Sequence, residues 1–176
     1  MTEIKIIDNL HSRDINIPNQ PFKLYGKMIP SLNKGIWDYE IVLFPENEVT
    51  EMTFPDENYD YEEMSGDCIF IGVYLDGNCA ALAIMQEHWS KYMYLYDLKV
   101  NSQYRGQGIA SRLMEKAAEI AENRGYRGIY TIGQDNNLSA CKFYLKYGFK
   151  IGGFDNHVYN GTSQQGKADI FFYLDF

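Results

Sequence analysis

The sequence predicts an α+β fold in which helices lie against a mixed β-sheet. Two observations carry this prediction. Two apolar stretches joined by Asp76-Gly77 have the pattern of a β-hairpin, and two later segments repeat apolar residues at helical spacing. Strand patterns lie between and after these helices, so the predicted order is a β-meander, then βαβα, then two strands. This order is typical of α+β domains.

Three strands are predicted in the middle of the chain. Residues 68–75 and 78–85 form the hairpin, because Asp-Gly supplies the two positive φ angles that a two-residue type I′ turn requires. Residues 92–100 form the third strand. Strict alternation would place one set of its side chains on a single face, namely Tyr92, Tyr94, Tyr96, Leu98 and Val100.

The second half of the chain contains two predicted helices. Their bounds are 109–124, ended by Gly125, and 138–147, capped by Asn136 or Asn137 and ended by Gly148. Further strands are expected at 128–133, 150–159 and 168–176. In the first 67 residues prolines obscure the pattern, and only 37–44 reads as a strand.

The composition predicts one soluble cytoplasmic domain over 1–176. The chain has no repeats or Gly/Ser linkers, and 45% hydrophobic residues suffice for a buried core. Three cysteines without CxxC spacing argue against a disulfide framework or a zinc site, and no His, Asp or Glu cluster has metal spacing. No apolar run approaches the roughly 18–20 residues of a membrane span, and no signal peptide opens the chain.

Negative charge is concentrated in one segment. The net charge is −8, and nine of the 24 acidic residues lie in 46–67, where no basic residue occurs. This balance argues against a nucleic-acid partner and is compatible with a cationic small molecule. The segment is either a solubility loop or a cation-attracting surface, to which Tyr59 and Tyr61 would add aromatic rings. Glu57 and Asp60 are its candidate substrate contacts.

A turn at 100–110 leads from the third strand into a helix N-terminus. Such an end offers unpaired N–H groups and a partial positive charge, which suit a phosphate or diphosphate. Gly106 and Gly108 would let the backbone approach the ligand, and Arg105 adds a cation. The alternative is an ordinary strand–helix connection. A P-loop is excluded because no Gly-Lys-Ser/Thr follows, and a dinucleotide-binding fingerprint lacks its third glycine at Ser111.

A second motif lies about 30 residues downstream, and the two motifs together resemble one family. The first matches at Arg105, Gly108 and Ala110, and the second at Asn137, Ala140, Phe143, Tyr144, Gly148 and Phe149. The sequence thereby resembles the GCN5-related N-acetyltransferase (GNAT) superfamily. The narrower resemblance is to streptothricin acetyltransferases, which acetylate an amine on the β-lysine arm of a cationic antibiotic. It covers segments 21–30, 46–67, 89–94, 134–144, 148–155 and 170–176.

The resemblance implies a mostly antiparallel sheet with a V-shaped split between its central strands, where acetyl-CoA binds. The backbone of Leu98, Lys99 and Val100 would pair with pantetheine. The diphosphate would lie on Arg105, Gly106, Gln107, Gly108, Ile109, Ala110 and Ser111. Asn137 would bind the pantetheine or the diphosphate, although helix capping also explains it. Tyr144 would protonate the departing thiolate as general acid, and the alternative is a core aromatic residue.

The general base is the least defined part of the predicted site. A lysine-like amine has a pKa near 10.4, so presenting it neutral at pH 7 costs about 4–5 kcal/mol. Some family members carry a Glu where this chain has Thr131, Ile132 and Gly133. Asp97 is the best substitute, directly or through a water, and the alternative is a strand end that faces solvent or a local ion pair with Lys99. Lesser candidates for contact with the amine are Glu87 and Asp155, the latter together with His157.

The function expected from these residues and the resemblance is acetyl transfer from acetyl-CoA to a primary amine of a cationic small molecule, a streptothricin-type antibiotic, by direct attack. No metal or membrane takes part. Two alternatives remain: a GNAT enzyme acting on a protein or peptide amine, and a CoA-binding regulatory module without turnover. A homodimer is the commonest arrangement in the family.

Overall fold

The computed structural model of the chain describes residues 2–176. Within them the chain divides into two compact units, one comprising the residues up to Pro21 with Thr53–Ile129 and Phe176, the other Phe22–Met52 and Tyr130–Asp175. Paired strands and helices occur in both, and the paired strands with a described register are antiparallel. The predicted α+β class is confirmed, with a mostly antiparallel sheet flanked by helices. The V-shaped split and the single-domain organisation stay predictions.

The bounds of the elements are as follows. The strands are β1 Thr2–Ile6, β2 Phe22–Leu24, β3 Gly26–Asn33, β4 Ile36–Leu43, β5 Thr50–Met52, β6 Cys68–Leu75, β7 Asn78–Gln86, β8 Tyr92–Val100, β9 Gly128–Gln134, β10 Lys150–Asp155 and β11 Asp169–Asp175. The α-helices are α1 Tyr61–Met64, α2 Ile109–Asn123 and α3 Leu138–Tyr147, and 3₁₀ turns cover Asn9–Asn16, Glu46–Glu48 and Ser102–Tyr104.

In the first unit four antiparallel strands follow the order β1-β6-β7-β8. The hairpin turn is as predicted, with φ of 48° at Asp76 and 86° at Gly77. Strands β6 and β7 form much of the apolar core, because most of their side chains are buried, including Phe70, Leu82 and Ile84. Helix α2 contacts β6, β7 and β8, and its buried residues recur at helical spacing: Ile109, Leu113, Met114, Ala117, Ile120 and Ala121.

Strand β8 contains a bulge that strict alternation does not predict. Asp97 lies opposite Ile84 of β7 and Leu95 lies opposite Met85, so Tyr96 is an extra residue without an opposite partner. The prediction that Tyr92, Tyr94, Tyr96, Leu98 and Val100 share one face is therefore wrong. An extra residue reverses the facing of every side chain beyond it. As a result Asp97 and Lys99 lie on the same face of the sheet as Tyr94.

In the second unit β11 lies between β9 and β10, and β3 pairs with β4 as a hairpin. Helix α3 begins and ends as predicted, with Asn137 as N-cap and Gly148 as C-cap. The strand predicted at 150–159 was too long, because β10 ends at Asp155. The Asp155 carboxylate accepts hydrogen bonds from the backbone N–H groups of His157 and Val158, which turns the chain out of the strand. Tyr159 therefore lies in the loop before β11.

The structure also shows strands that the sequence did not suggest. β1 is an exposed edge strand and β3 contains Pro30, which a two-stranded sheet tolerates because each of its strands has a free edge. Among residues 2–176 no helix is long and apolar enough to cross a bilayer. Cys68, Cys79 and Cys141 are free thiols.

Candidate active site

The turn between β8 and α2 leaves a helix N-terminus without a side-chain cap. Gly106 and Gly108 have φ of 76° and 79°, a left-handed conformation that glycine adopts without steric cost. Gly108 occupies the N-cap position of α2, and no side chain bonds to the first turn. A Cβ at either glycine would meet no atom within 4 Å. The first backbone N–H groups of α2 are thus left for an anionic ligand.

Arg105 donates hydrogen bonds to two backbone carbonyls, one at the end of β8 and one in the segment before β2. Its Nε donates to the Val100 carbonyl at 3.1 Å, and its Nη1 donates to the Pro21 carbonyl at 2.8 Å. Burial lowers the pKa of the guanidinium from its ordinary value. Arg105 therefore ties the turn to the end of β8, and its contact with a diphosphate stays a prediction.

Four side chains form a network beside β8, which we call the Asp97 cluster: Glu57, Tyr59, Asp97 and Lys99. The Lys99 ammonium lies 2.5 Å from Glu57 Oε2 and 3.2 Å from Asp97 Oδ2. The Tyr59 hydroxyl donates to the same Asp97 oxygen at 3.0 Å, and the Lys99 ammonium lies 5.3 Å from the Tyr59 ring centroid. The ion pair considered for Lys99 is thereby confirmed, and it includes Glu57 as well.

Burial favours protonation of Asp97, and the charges of the Asp97 cluster act on it in both directions. Burial is the main cause that raises the pKa of Asp97, and the Glu57 charge raises it further, while Lys99 and the Tyr59 hydrogen bond lower it. Burial and the two carboxylates raise the pKa of Tyr59, which therefore stays a hydrogen-bond donor. Both described contacts of Asp97 use Oδ2, so Oδ1 is left for an amine or a water. The role of Asp97 as base stays a prediction.

Two asparagines that the sequence did not mark hold the loop that carries Glu57 and Tyr59. Asn16 accepts from the Tyr59 N–H at 2.6 Å and donates to its carbonyl at 2.9 Å. Asn19 donates through Nδ2 to the Pro55 carbonyl at 2.8 Å and to Glu57 Oε1 at 3.0 Å. No local pattern could have found them, because their partners lie about 40 positions away in the chain.

Each of the other candidate carboxylates has a partner within the protein. Asp60 caps α1 by accepting from the N–H groups of Glu62 and Glu63. Glu87 pairs with Arg124. Asp155 accepts hydrogen bonds from the backbone N–H groups of His157 and Val158. Their contacts with a substrate stay predictions.

Tyr144 and Asn137 lie on α3 in the second unit. Tyr144 is 8% exposed, and its ring centroid lies 5.3 Å from that of Phe172 and 5.4 Å from that of Phe149. This packing matches the core-aromatic alternative, and the general-acid role stays a prediction. Asn137 accepts from the Ala140 N–H at 3.3 Å, which is the helix cap considered for it. No group of described His, Cys, Asp and Glu side chains could hold a metal ion.

Comparison with known proteins places these residues in one family. Residues 33–149 match the model of the acetyltransferase (GNAT) family. Streptothricin acetyltransferase A of Bacillus subtilis (strain 168) is 33% identical over 168 residues, which is 96% of each chain. A Bacillus anthracis protein assigned as a streptothricin acetyltransferase, solved in complex with acetyl coenzyme A, superposes with a TM-score of 0.89 and 27% identity over all of both chains. Nourseothricin acetyltransferase, at 20% identity and a TM-score of 0.80 over 99% of this chain and 98% of that one, shares the fold.

Proposed function

The chain belongs to the acetyltransferase (GNAT) family, and on that premise we propose that it transfers the acetyl group of acetyl-CoA to a primary amine of a streptothricin-type antibiotic. One observation carries the proposal: a single strand–turn–helix bears both the uncapped N-terminus of α2 and the half-buried carboxylate of Asp97. The first suits the diphosphate of the donor and the second suits the amine of the acceptor. The relatives named for streptothricin support the choice of acceptor.

Acetyl-CoA supplies the thioester carbon that the amine attacks. In this proposal the N–H groups at the start of α2 bind its diphosphate, which places negative charge at the positive end of the helix dipole. The backbone of 98–100 pairs with the pantetheine as an added strand does. Neither contact needs a particular side chain, so the positions of Gly106 and Gly108 matter through their backbone conformation.

Asp97 is proposed to take the proton from the incoming ammonium, directly or through one water. A carboxylate whose pKa is raised by burial is a stronger base than an exposed one, which reduces the mismatch with an amine of pKa near 10.4. Oδ1 faces the amine or water while Tyr59 and Lys99 hold Oδ2. Tyr144 is proposed as the donor of the proton to the thiolate, which the family resemblance supports.

The free thiols suit the reducing cytoplasm as the location.

An acetyl-transfer assay tests the proposal. The protein is incubated with acetyl-CoA and, in separate reactions, with a streptothricin, a polyamine and a lysine-containing peptide. Release of free CoA is followed, and the masses of the products are measured by mass spectrometry. We expect the highest kcat/KM with the streptothricin and a product heavier by one acetyl group. A higher kcat/KM with the peptide would show that the acceptor is wrong, and acetyl-CoA binding without any turnover would show a regulatory module.

A further inference from the structure

Strand β1 lies at one edge of its sheet, and among residues 2–176 no strand pairs with its outer side. Its inner side pairs with β6, from Thr2 opposite Leu75 to Ile6 opposite Ile71. An edge strand presents a row of N–H and C=O groups with which a further strand can pair. The outer side of β1 is therefore open to an added strand.

The hydrogen bonds with β6 identify the residues of β1 whose backbone faces outward. The Ile7 N–H donates to the Phe70 carbonyl at 2.8 Å. Because bonding alternates along an antiparallel pair, the odd-numbered residues of β1 bond with β6. The N–H and C=O groups of Thr2, Ile4 and Ile6 consequently point away from β6. An antiparallel strand added at this edge must bond with these three residues.

A second copy of β1 fits this pattern when a two-fold axis passes through Ile4. Ile4 then lies opposite Ile4 of the second copy and Thr2 lies opposite Ile6, so that outward-facing groups meet along all five residues of the strand. The same arrangement places Glu3 opposite Lys5 twice. These are pairs without mutual backbone bonds, at which side chains come closest, and opposite charges there stabilise the pairing.

The two charges also disfavour the neighbouring registers of this pair. A shift by two residues keeps the hydrogen-bond pattern, but it places Glu3 opposite Glu3 or Lys5 opposite Lys5, and like charges directly opposite destabilise a strand pair. Neither side chain forms an ion pair with another of residues 2–176. The Lys5 ammonium lies 4.2 Å from the Tyr74 ring centroid, which keeps it on the face of the sheet that it shares with Glu3.

The other face of β1 carries apolar side chains that are partly exposed. Ile6 is 54% exposed and Ile4 is half-buried. In the two-fold arrangement these side chains meet Thr2 and Ile4 of the second copy. Pairing thus removes apolar surface from water in addition to joining the charges.

We propose that the chain forms a two-fold dimer through β1, in which Glu3 of each copy pairs with Lys5 of the other. The occupant is a second copy because one strand supplies both members of each charge pair, as a two-fold interface requires. This inference goes beyond the proposed function, since β8, which carries the Asp97 cluster, lies three strands from this edge.

Sedimentation of the parent and of charge variants tests the interface. We expect the parent to have twice the mass of one chain at about 100 μM and to dissociate on dilution. Glu3→Lys and Lys5→Glu should each weaken dimerisation at least about tenfold, because each places like charges opposite. An equimolar mixture of the two variants should form a heterodimer, since the charges are then opposite. The double variant Glu3→Lys with Lys5→Glu should form the homodimer again.

Two further sets of variants separate the interface from general effects. Glu119→Lys and Lys116→Glu make the same changes of charge at an ion pair on α2, so they are the matched controls and should leave the dimer unchanged. Ile4→Pro removes an outward N–H that β6 does not use. It should therefore abolish dimerisation while the circular dichroism spectrum and cooperative melting are kept.

A parent that stays monomeric at about 500 μM would overturn the inference. So would single variants that dimerise as the parent does, or that fail to associate when they are mixed. An equal loss of dimer in the α2 controls would also overturn it, because the effect would then follow net charge. Acetyl transfer is judged separately, by turnover with a streptothricin, and none of these outcomes decides it.

Discussion

The N-terminus of α2 and the Asp97 cluster belong to one unit of the fold and present opposite kinds of chemistry. The first offers backbone N–H groups arranged by Gly106 and Gly108, with no side-chain cap. The second consists of side chains brought together from two distant parts of the chain, with Glu57 and Lys99 42 positions apart. Backbone N–H groups suit acetyl-CoA, which is the acetyl donor whatever the acceptor. Side chains suit the recognition of one particular acceptor amine. Substitutions should therefore separate donor binding from proton transfer.

The largest expected effect is that of Asp97→Asn. The amide keeps the shape of the carboxylate and can still accept from Tyr59, but it cannot take a proton. We expect kcat/KM for the acceptor to fall by about 10²–10⁴ at neutral pH and to recover partly at high pH, where free amine is abundant. A pH–rate profile of parent and variant measures this. A profile that keeps the parental shape would remove Asp97 as the base.

Gly108→Ala tests the other region. Alanine is strained at a φ of 79° by about 1–2 kcal/mol, and its methyl group lies where the diphosphate would approach. Gly125→Ala is the matched control, because Gly125 has a φ of 80° and open space at the other end of α2. Calorimetric affinity for acetyl-CoA should fall about tenfold in the first variant only, while both lose similar stability. Equal acetyl-CoA affinities in the two variants would contradict binding of the diphosphate at the N-terminus of α2.

Tyr59→Phe tests the Asp97 cluster through the pH dependence of kcat/KM. The Tyr59 hydrogen bond stabilises the charged carboxylate and so lowers the pKa of Asp97, against the larger effect of burial. Without it that pKa rises, and the pH at which kcat/KM reaches half of its plateau should shift upward. Tyr61→Phe, whose hydroxyl lies near Ile7 and not near Asp97, is the control. A shift equal in both variants, or a downward shift for Tyr59→Phe, would contradict the role of this hydrogen bond.

Sequence alone sufficed where a feature depends on neighbours in the chain. Asp76-Gly77 set the hairpin turn, and Asn137 with Gly148 set the ends of α3, because turns and caps are local. The extra residue at Tyr96 was not predictable, since a bulge depends on the register with β7. Asn16 was equally hidden, because its surroundings arise only on folding.

The smallest expected effect concerns the acidic segment 46–67. Glu57 belongs to the Asp97 cluster and Asp60 caps α1, so neutralising either would disturb the local structure as well as the charge. Glu62→Gln with Glu63→Gln changes exposed charge alone, and Glu115→Gln with Glu122→Gln on α2 is the matched control. We expect KM for a streptothricin to rise about twofold at low salt in the first pair only, and the difference to vanish at 1 M salt, where the Debye length is about 3 Å. Equal KM values in both pairs at low salt would identify a solubility loop.

The most direct test of the division between the two regions is a calorimetric titration of acetyl-CoA into Asp97→Asn. Asp97 is proposed to act on the acceptor amine, while the donor is bound by backbone at 98–100 and 105–111. The Kd for acetyl-CoA should therefore equal that of the parent within about twofold, although kcat/KM for the acceptor falls at neutral pH. A loss of acetyl-CoA affinity as large as that of Gly108→Ala would contradict the division.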